Sequence, residues 1–462
     1  MKKQNRVVFF NMLSSILLKG ISIFTSPVFS RLLGTAGYGV VKTYTTWVGI
    51  FAIAGTLQTH GTLINARVEY PEEEQKRYHS SVMFLSMVFF LCVCCLLLLF
   101  RESLSRVLRL DGLLMGLLCF HAFGTFCNNF LHNRFTYEMK AGRNMILSLG
   151  TTLGVFGLSL ALVLRMPEDT NYYGRIFGMA LVYGGMGLVI CGYTLWRGRT
   201  LYHREYWKFC LTLALPVVLY NLSDLLLGNS DLVMLRAILG DDTAGIYGYA
   251  FTFGGIMFTL YAALNNSWVP FYFEDMKHDR QASLRQQAVN FLEVFTVLSM
   301  GFLLLSREVF HVYARRDFWP GTELIPCFVG SYYLNFLCTF PVNFEYYHKK
   351  VKVVSAATIL CSLINVALNW VLIHRIGMFG AAAATMLSHC IQLTMHYLYC
   401  RYRLGKTDYP FAISLWGKYA LAFLASAALF YLLPSAWYIR WPLGAAIGLW
   451  ELLRIKRRKR LL

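Results

Sequence analysis

The chain has 462 residues, of which 57% are hydrophobic and only 15% charged, with a mean hydropathy of +0.49. Soluble domains carry about 25% charged residues, so this composition excludes a soluble protein and specifies an integral membrane one. The formal charge of +19 does not mark a nucleic-acid binder, because the basic residues are strung through short loops and form no face with interleaved aromatics.

Stretches of about 20 apolar residues predict fourteen transmembrane helices, the first seven at about 6–30, 40–66, 80–100, 112–134, 143–164, 174–196 and 208–230. The second seven lie at about 245–270, 287–306, 323–345, 352–373, 378–400, 413–433 and 437–454. Runs such as Met83 to Phe100 are almost continuously apolar, which excludes the alternating pattern of barrel strands. Residues 6–30 are expected to be the first anchor and not a cleaved leader: the run is long, Lys19 interrupts it, and no small-x-small site follows. An even number of spans puts both ends on one side. That side collects 28 of the 43 Lys and Arg residues, against 13 opposite, so both termini are expected to be cytoplasmic. The basic tail from Arg454 to Arg460 is suited to anionic lipid.

Lys19 lies near the middle of the first span, where a lysine facing lipid costs about 2.5–3.5 kcal/mol. Steps of three and four residues place Asn11, Ser15, Lys19, Ser22, Ser26 and Ser30 on one polar stripe, with Leu13, Leu17, Ile21, Phe24 and Val28 opposite. Six polar positions and a charge exceed what one helix contact needs, so the stripe is expected to line a water-filled cavity; the bland reading has Lys19 paired with an acid to lock helices together. Arg31 and Lys42 follow near the predicted outer mouth, as substrate contacts or snorkelling anchors. Twelve cysteines lie mostly inside spans and the loops supply no framework of paired thiols, so neither disulfides nor zinc are expected. His60, His121, His389 and His396 show no metal-ligand spacing. Gly150-x-x-x-Gly154 and Gly174-x-x-x-Gly178 allow close helix contact.

Span seven carries a matching stripe of Asn221, Asp224, Gly228 and Asp231, with Asp224 at about the depth of Lys19. Three roles stay open for the two acids: coupling to a proton or sodium ion, structural pairing, or substrate contact. Ser30-Arg31-Leu32-Leu33-Gly34 with Thr35-Ala36-Gly37-Tyr38 is echoed by Ala237-Ile238-Leu239-Gly240 with Thr243-Ala244-Gly245-Ile246-Tyr247, a repeat over some 200 residues. Two related halves of several spans each suit a carrier that opens alternately to either side. The expected organisation is an N-terminal six-helix lobe at 1–200, a C-terminal six-helix lobe at 201–402, and two further helices with a basic tail at 403–462. No extramembrane segment could hold a catalytic domain, and the phosphate-loop, nucleophile-elbow and His-Glu-x-x-His motifs are absent, so an enzyme is not expected.

Three blocks carry a family likeness: Asn11 to Gly20 with Pro27 to Gly39; Asp231 to Gly240 with Ala244 to Tyr247 and Asn265 to Phe271; and Leu363 to Ile373 followed by Gly377 to Thr385. The sequence resembles the polysaccharide and O-antigen flippases, of the superfamily that also holds multidrug exporters and lipid II flippases. The resemblance implies an all-α membrane fold of two pseudo-symmetric six-helix bundles around a central V-shaped cavity, plus two C-terminal helices. It implies transfer of polyprenyl-diphosphate-linked oligosaccharide to the outer leaflet of the bacterial inner membrane, for capsule, O-antigen or exopolysaccharide. Lys19, Ser15, Ser22, Ser26, Arg31, Lys42 and Asn221 would then meet substrate, with Tyr44, Trp47 and Tyr249 near the sugars, and Asp224 and Asp231 would couple an ion or pair charge. The expected partners are the lipid-linked oligosaccharide, membrane lipid and the polysaccharide polymerase machinery. No cofactor is expected beyond a coupling proton or sodium ion. Leu232 departs from the family, which often has a basic residue after the acid matching Asp231. The alternative, a multidrug exporter of organic cations, would want a mainly acidic cavity, whereas the first span offers a lysine.

Overall fold

The computed structural model describes residues 3–404, 409–411 and 413–458, with side chains from residue 25 onward except 413, 415 and 455–458. The described residues form helices and no strand. In chain order these are α1 Lys3–Ala54, α2 Leu63–Glu69, α3 Gln75–Leu99, α4 Arg101–Leu108, α5 Gly112–Tyr137, α6 Ala141–Val163, α7 Asn171–Gly198 and α8 Arg204–Leu239. There follow α9 Asp241–Lys277, α10 Gln281–Tyr313, α11 Ile325–Tyr347, α12 Val351–Ile376, α13 Met378–Leu398, α14 Ile413–Leu432 and α15 Trp437–Arg458. Each predicted span except the second falls on a helix. By length and apolarity, nine helices among the described residues could cross a membrane, or ten with one bent pair counted.

Two details differ from the expectation. The first two spans share α1, broken only at Gly34, whose φ of 66° and ψ of −175° are open to glycine. The second span ends at Ala54 and not near residue 66. There Leu57 and Gln58 turn the chain at positive φ, and a short 3-10 turn, Thr59–Thr62, leads into α2 at a bend of 52°. The Gly-Thr-Leu-Gln-Thr-His-Gly stretch is too polar and glycine-rich to continue a helix. Positive-φ glycines recur between α8 and α9 at Gly240 and between α12 and α13 at Gly377, so three helix junctions turn on a single residue.

The described chain groups into two compact units, Met1–Gly245 and Ile246–Leu462. In the first, Phe29, Tyr44, Leu114, Leu118 and Ile176 form one core, and Tyr78, Val82, Phe126, Phe130 and Tyr206 form another. Helix α7 reaches its neighbours through glycines: a Cβ on Gly174 would lie 2.8 Å from the Leu162 carbonyl carbon, and one on Gly178 2.3 Å from Ser159 Oγ. The predicted Gly174/Gly178 contact is therefore made, by α7 on α6. Gly150 faces open space. Asp111 caps α5 by accepting from Leu114 N at 2.8 Å.

The second unit is built around rings. Phe295 stacks on Phe336 at 4.3 Å and Tyr333 on Phe423 at 4.5 Å, and Trp268 is buried among Tyr272, Phe291 and Phe340. Asn365 and Asn369, both buried, run an amide ladder: Asn369 donates to Asn365 at 3.0 Å, and Asn365 donates to Ser388 Oγ on α13 at 3.2 Å. They knit α12 to α13, as intramembrane amides commonly do. Arg440 is fully buried on α15 and donates to the carbonyls of Leu433, Leu304 and Pro434 and to Glu308, tying α15 to α10.

Candidate functional site

Helices α1 and α8 meet the repeat in the same way. Leu33-Gly34 and Leu239-Gly240 stop a helix, and five residues beyond each stop stands a second glycine, Gly39 or Gly245. The two copies touch inside the first unit. A Cβ on Gly39 would lie 2.1 Å from Asp241 O and 2.8 Å from Gly245 N; one on Gly245 would lie 1.9 Å from Thr35 O and 3.1 Å from Gly39 N. Thr35 and Asp241 each come directly after their stop glycine, so the contact is reciprocal, a local pseudo-two-fold in which each copy presents the same surface to the other. Only residues without a side chain permit backbones to come so close.

Polar groups fasten this contact. Thr35 Oγ1 donates to Asp242 Oδ1, and buried Arg236 pairs with Asp241. Arg109, from the turn between α4 and α5, donates to Arg236 O and Ala237 O at 2.7 Å each. These are among the last carbonyls of α8, where a cation suits the helix C-terminus; Arg236 O also accepts from Gly240 N at 3.2 Å.

The predicted stripe on α1 is visible only in part. Asn11, Ser15, Lys19 and Ser22 lie outside the residues whose side chains are described. Ser26 Oγ is 3.1 Å from Tyr38 Oη, and Lys42 Nζ stands 5.5 Å from the Tyr38 ring, so Ser26 and Lys42 gather around one tyrosine. Ser30 is buried and donates to Pro27 O at 3.0 Å, while Arg31 is exposed. On α8, Asn221 donates to Gln58 Oε1 in the turn after α1. One turn further, Asp224 is exposed. Asp231 is buried, and its Oδ1 accepts from Leu232 N at 2.8 Å, so the two acids of the stripe sit in different surroundings.

The aromatics expected near sugars are core residues. Tyr44 is fully buried, with its ring 5.8 Å from His121, and Tyr249 packs on Phe310 and Phe318. Trp47 is half-buried against Phe51.

Sequence reasoning missed Gly39, Gln58 and Arg109. The signal for Gly39 was present as the shared spacing Leu-Gly-x-x-x-x-Gly, which registers the copies two residues away from the duplicated Thr-Ala-Gly. It also missed a buried acid–imidazole pair in the second unit. His396 Nδ1 lies 2.9 and 3.0 Å from the two Glu345 oxygens, joining α13 to α11. Their separation of 51 residues carries no local pattern.

A family model described as polysaccharide biosynthesis protein matches residues 5–276. "Lsg locus putative protein 1" of Haemophilus influenzae is 22% identical over 359 residues, covering 74% of this chain and 84% of that one. The fold is similar to that of the lipid II flippase MurJ in an inward closed conformation, with a TM-score of 0.72 and 15% identity over 98% of this chain and 100% of that one. It is also similar to an inward-facing multidrug resistance transporter of the MATE family, with a TM-score of 0.61 and 14% identity over 84% of this chain and 94% of that one.

Proposed function

Because the chain belongs to the polysaccharide biosynthesis protein family, we propose that this multi-pass membrane protein is a flippase for a lipid-linked glycan. Its substrate is an oligosaccharide on a polyprenyl diphosphate, moved from the cytoplasmic to the outer leaflet of a bacterial inner membrane by alternating access. Both termini are cytoplasmic, and the protein transports without catalysing a covalent step. The observation that carries this reading is the reciprocal Gly39–Gly245 contact. A duplicated carrier needs its two copies to close one end of the path and later part there, and a contact made only of backbone, flanked by a few polar ties, suits that duty.

Lys19 supplies the charge for the diphosphate in this reading, since a cation in a low-dielectric cleft compensates an anion far better than in water. The test is translocation of a lipid-linked oligosaccharide by the purified protein in vesicles. Lys19→Ala is expected to lower the rate at least about tenfold, a factor that equals ~1.4 kcal/mol, with the amount of inserted protein unchanged. Translocation at the normal rate would remove Lys19 from the path, and no translocation by the parent protein would remove the flippase reading itself.

Exposed Asp224 is the better placed of the two acids for ion coupling, because a buried carboxylate such as Asp231 has no open route for exchange. An imposed proton or sodium gradient is expected to speed translocation, and Asp224→Asn to abolish that response. An unchanged response in the variant would move coupling elsewhere.

A further inference from the structure

Where α2 and α5 end, α3 begins and α7 finishes, the first unit carries a half-open cavity of about 430 Å³. That volume falls within the ~300–1,000 Å³ of small-molecule sites. Five cations line it, Arg67, Lys76, Arg134, Lys140 and Arg197, against the carboxylates of Glu72 and Glu138. All five belong to the predicted cytoplasmic face.

Glu138 is already engaged. Its Oε1 accepts from Arg134 Nε at 2.8 Å and its Oε2 from Lys140. Burial pushes the Glu138 carboxyl up, but hydrogen bonds from Arg134 and Lys140 outweigh it and hold it at about 2, so it stays ionised at neutral pH. The remaining cations have only neutral partners among the described residues. Arg67 donates to Tyr137 O at 2.6 Å and Arg197 to Tyr193 Oη at 3.0 Å, while Lys76 makes no hydrogen bond or ion pair. A Cβ on Gly198 would lie 2.2 Å from Lys76 O, so α7 and α3 touch backbone to backbone and fix Arg197 and Lys76 on one wall.

Two members are more than surface charge. Arg134 is 9% exposed and His79 is 7% exposed, and His79 Nδ1 has no hydrogen-bond partner. A buried polar atom without a partner is uncommon. The bias of basic residues toward one membrane face needs only charge near lipid; it needs neither a concave wall nor a buried imidazole.

We propose that this cavity binds a phosphate group, whether borne on a lipid headgroup or free in solution. Donors that converge from several helices suit a tetrahedral anion with several acceptor oxygens better than a carboxylate with two. The proposal is independent of the flippase reading, because binding here is measurable whether or not the chain moves a lipid.

The test uses the full-length protein in neutral detergent and reads binding by native mass spectrometry. The probes are sodium pyrophosphate, phosphatidylglycerol and decaprenyl diphosphate, with diacylglycerol as the phosphate-free control. At least one phosphorylated probe is expected to bind about tenfold or more tightly than diacylglycerol. The K76Q/R197Q variant is expected to weaken that binding about tenfold, and the K76R variant to keep it. K352Q, which removes an exposed charge on α12, is expected to change nothing. Binding of pyrophosphate alone assigns a free anion, of phosphatidylglycerol a bulk lipid headgroup, and a preference for decaprenyl diphosphate a lipid carrier. The proposal falls if no phosphorylated probe outbinds diacylglycerol, or if K352Q weakens binding as much as K76Q/R197Q.

Discussion

A disulfide between cysteines at positions 35 and 242 is expected to stop translocation, and a reducing agent to restore it. Thr35 Oγ1 already donates to Asp242 Oδ1, and the neighbouring backbones approach so closely that a Cβ on Gly245 would lie 1.9 Å from Thr35 O. A disulfide needs about 4.4–6.8 Å between Cα atoms, so formation of the 35–242 bond is established by mass spectrometry before transport is read. If the Gly39–Gly245 contact must part in each cycle, a covalent tie removes the opened state from the ensemble. The rate is then expected to fall to about 1% or less of the reduced protein, the scale on which a two-state balance is fully committed. The experiment needs a background without the twelve native cysteines, of which Cys92, Cys95 and Cys390 are exposed. Full translocation by protein whose disulfide is confirmed by mass spectrometry would show that this end never opens.

Gly245→Ala is expected to act in the opposite direction. Its methyl would strike Thr35 O at 1.9 Å and the Thr35 carbonyl carbon at 2.8 Å, both backbone atoms that no rotamer can move aside. Overpacking of this kind costs about 1–3 kcal/mol. Here the cost falls only on the arrangement in which the two copies touch, so the parted arrangement gains by about 5–150-fold. A single cysteine at position 35 should then react faster with a membrane-impermeant maleimide. Gly39→Ala, aimed at Asp241 O at 2.1 Å, should give the same effect, and the double variant less than the sum, because one clash already parts the contact. Gly150→Ala, with nothing within 4 Å, is the control that should leave labelling unchanged. Unaltered labelling in both gate variants would mean that the contact closes nothing.

Helix placement was legible in the sequence because long apolar runs between charged loops have one stable solution in a membrane. The duplicated stop signal was legible too, as a Leu-Gly pair before a second helix. Which way a membrane helix faces was not. A core residue and a lipid-facing residue are equally apolar, so periodicity separates them poorly: Tyr44 is fully buried whereas Trp370 is 60% exposed. The two acids on α8 illustrate the same limit for polar residues, since a step of seven along one stripe gave no warning that Asp231 is enclosed and Asp224 open. Partners distant in sequence, such as Asn221 with Gln58 or Glu345 with His396, depend on how helices assemble and leave no local mark.

The single-residue junctions at Gly34, Gly240 and Gly377 have a consequence for proteolysis. All three fall on the predicted outer face, where most membrane proteins display loops. Exposed loop tips are where proteases cut and where insertions are tolerated; these three connections offer neither slack nor protrusion. A protease arriving at that face finds little there to grasp.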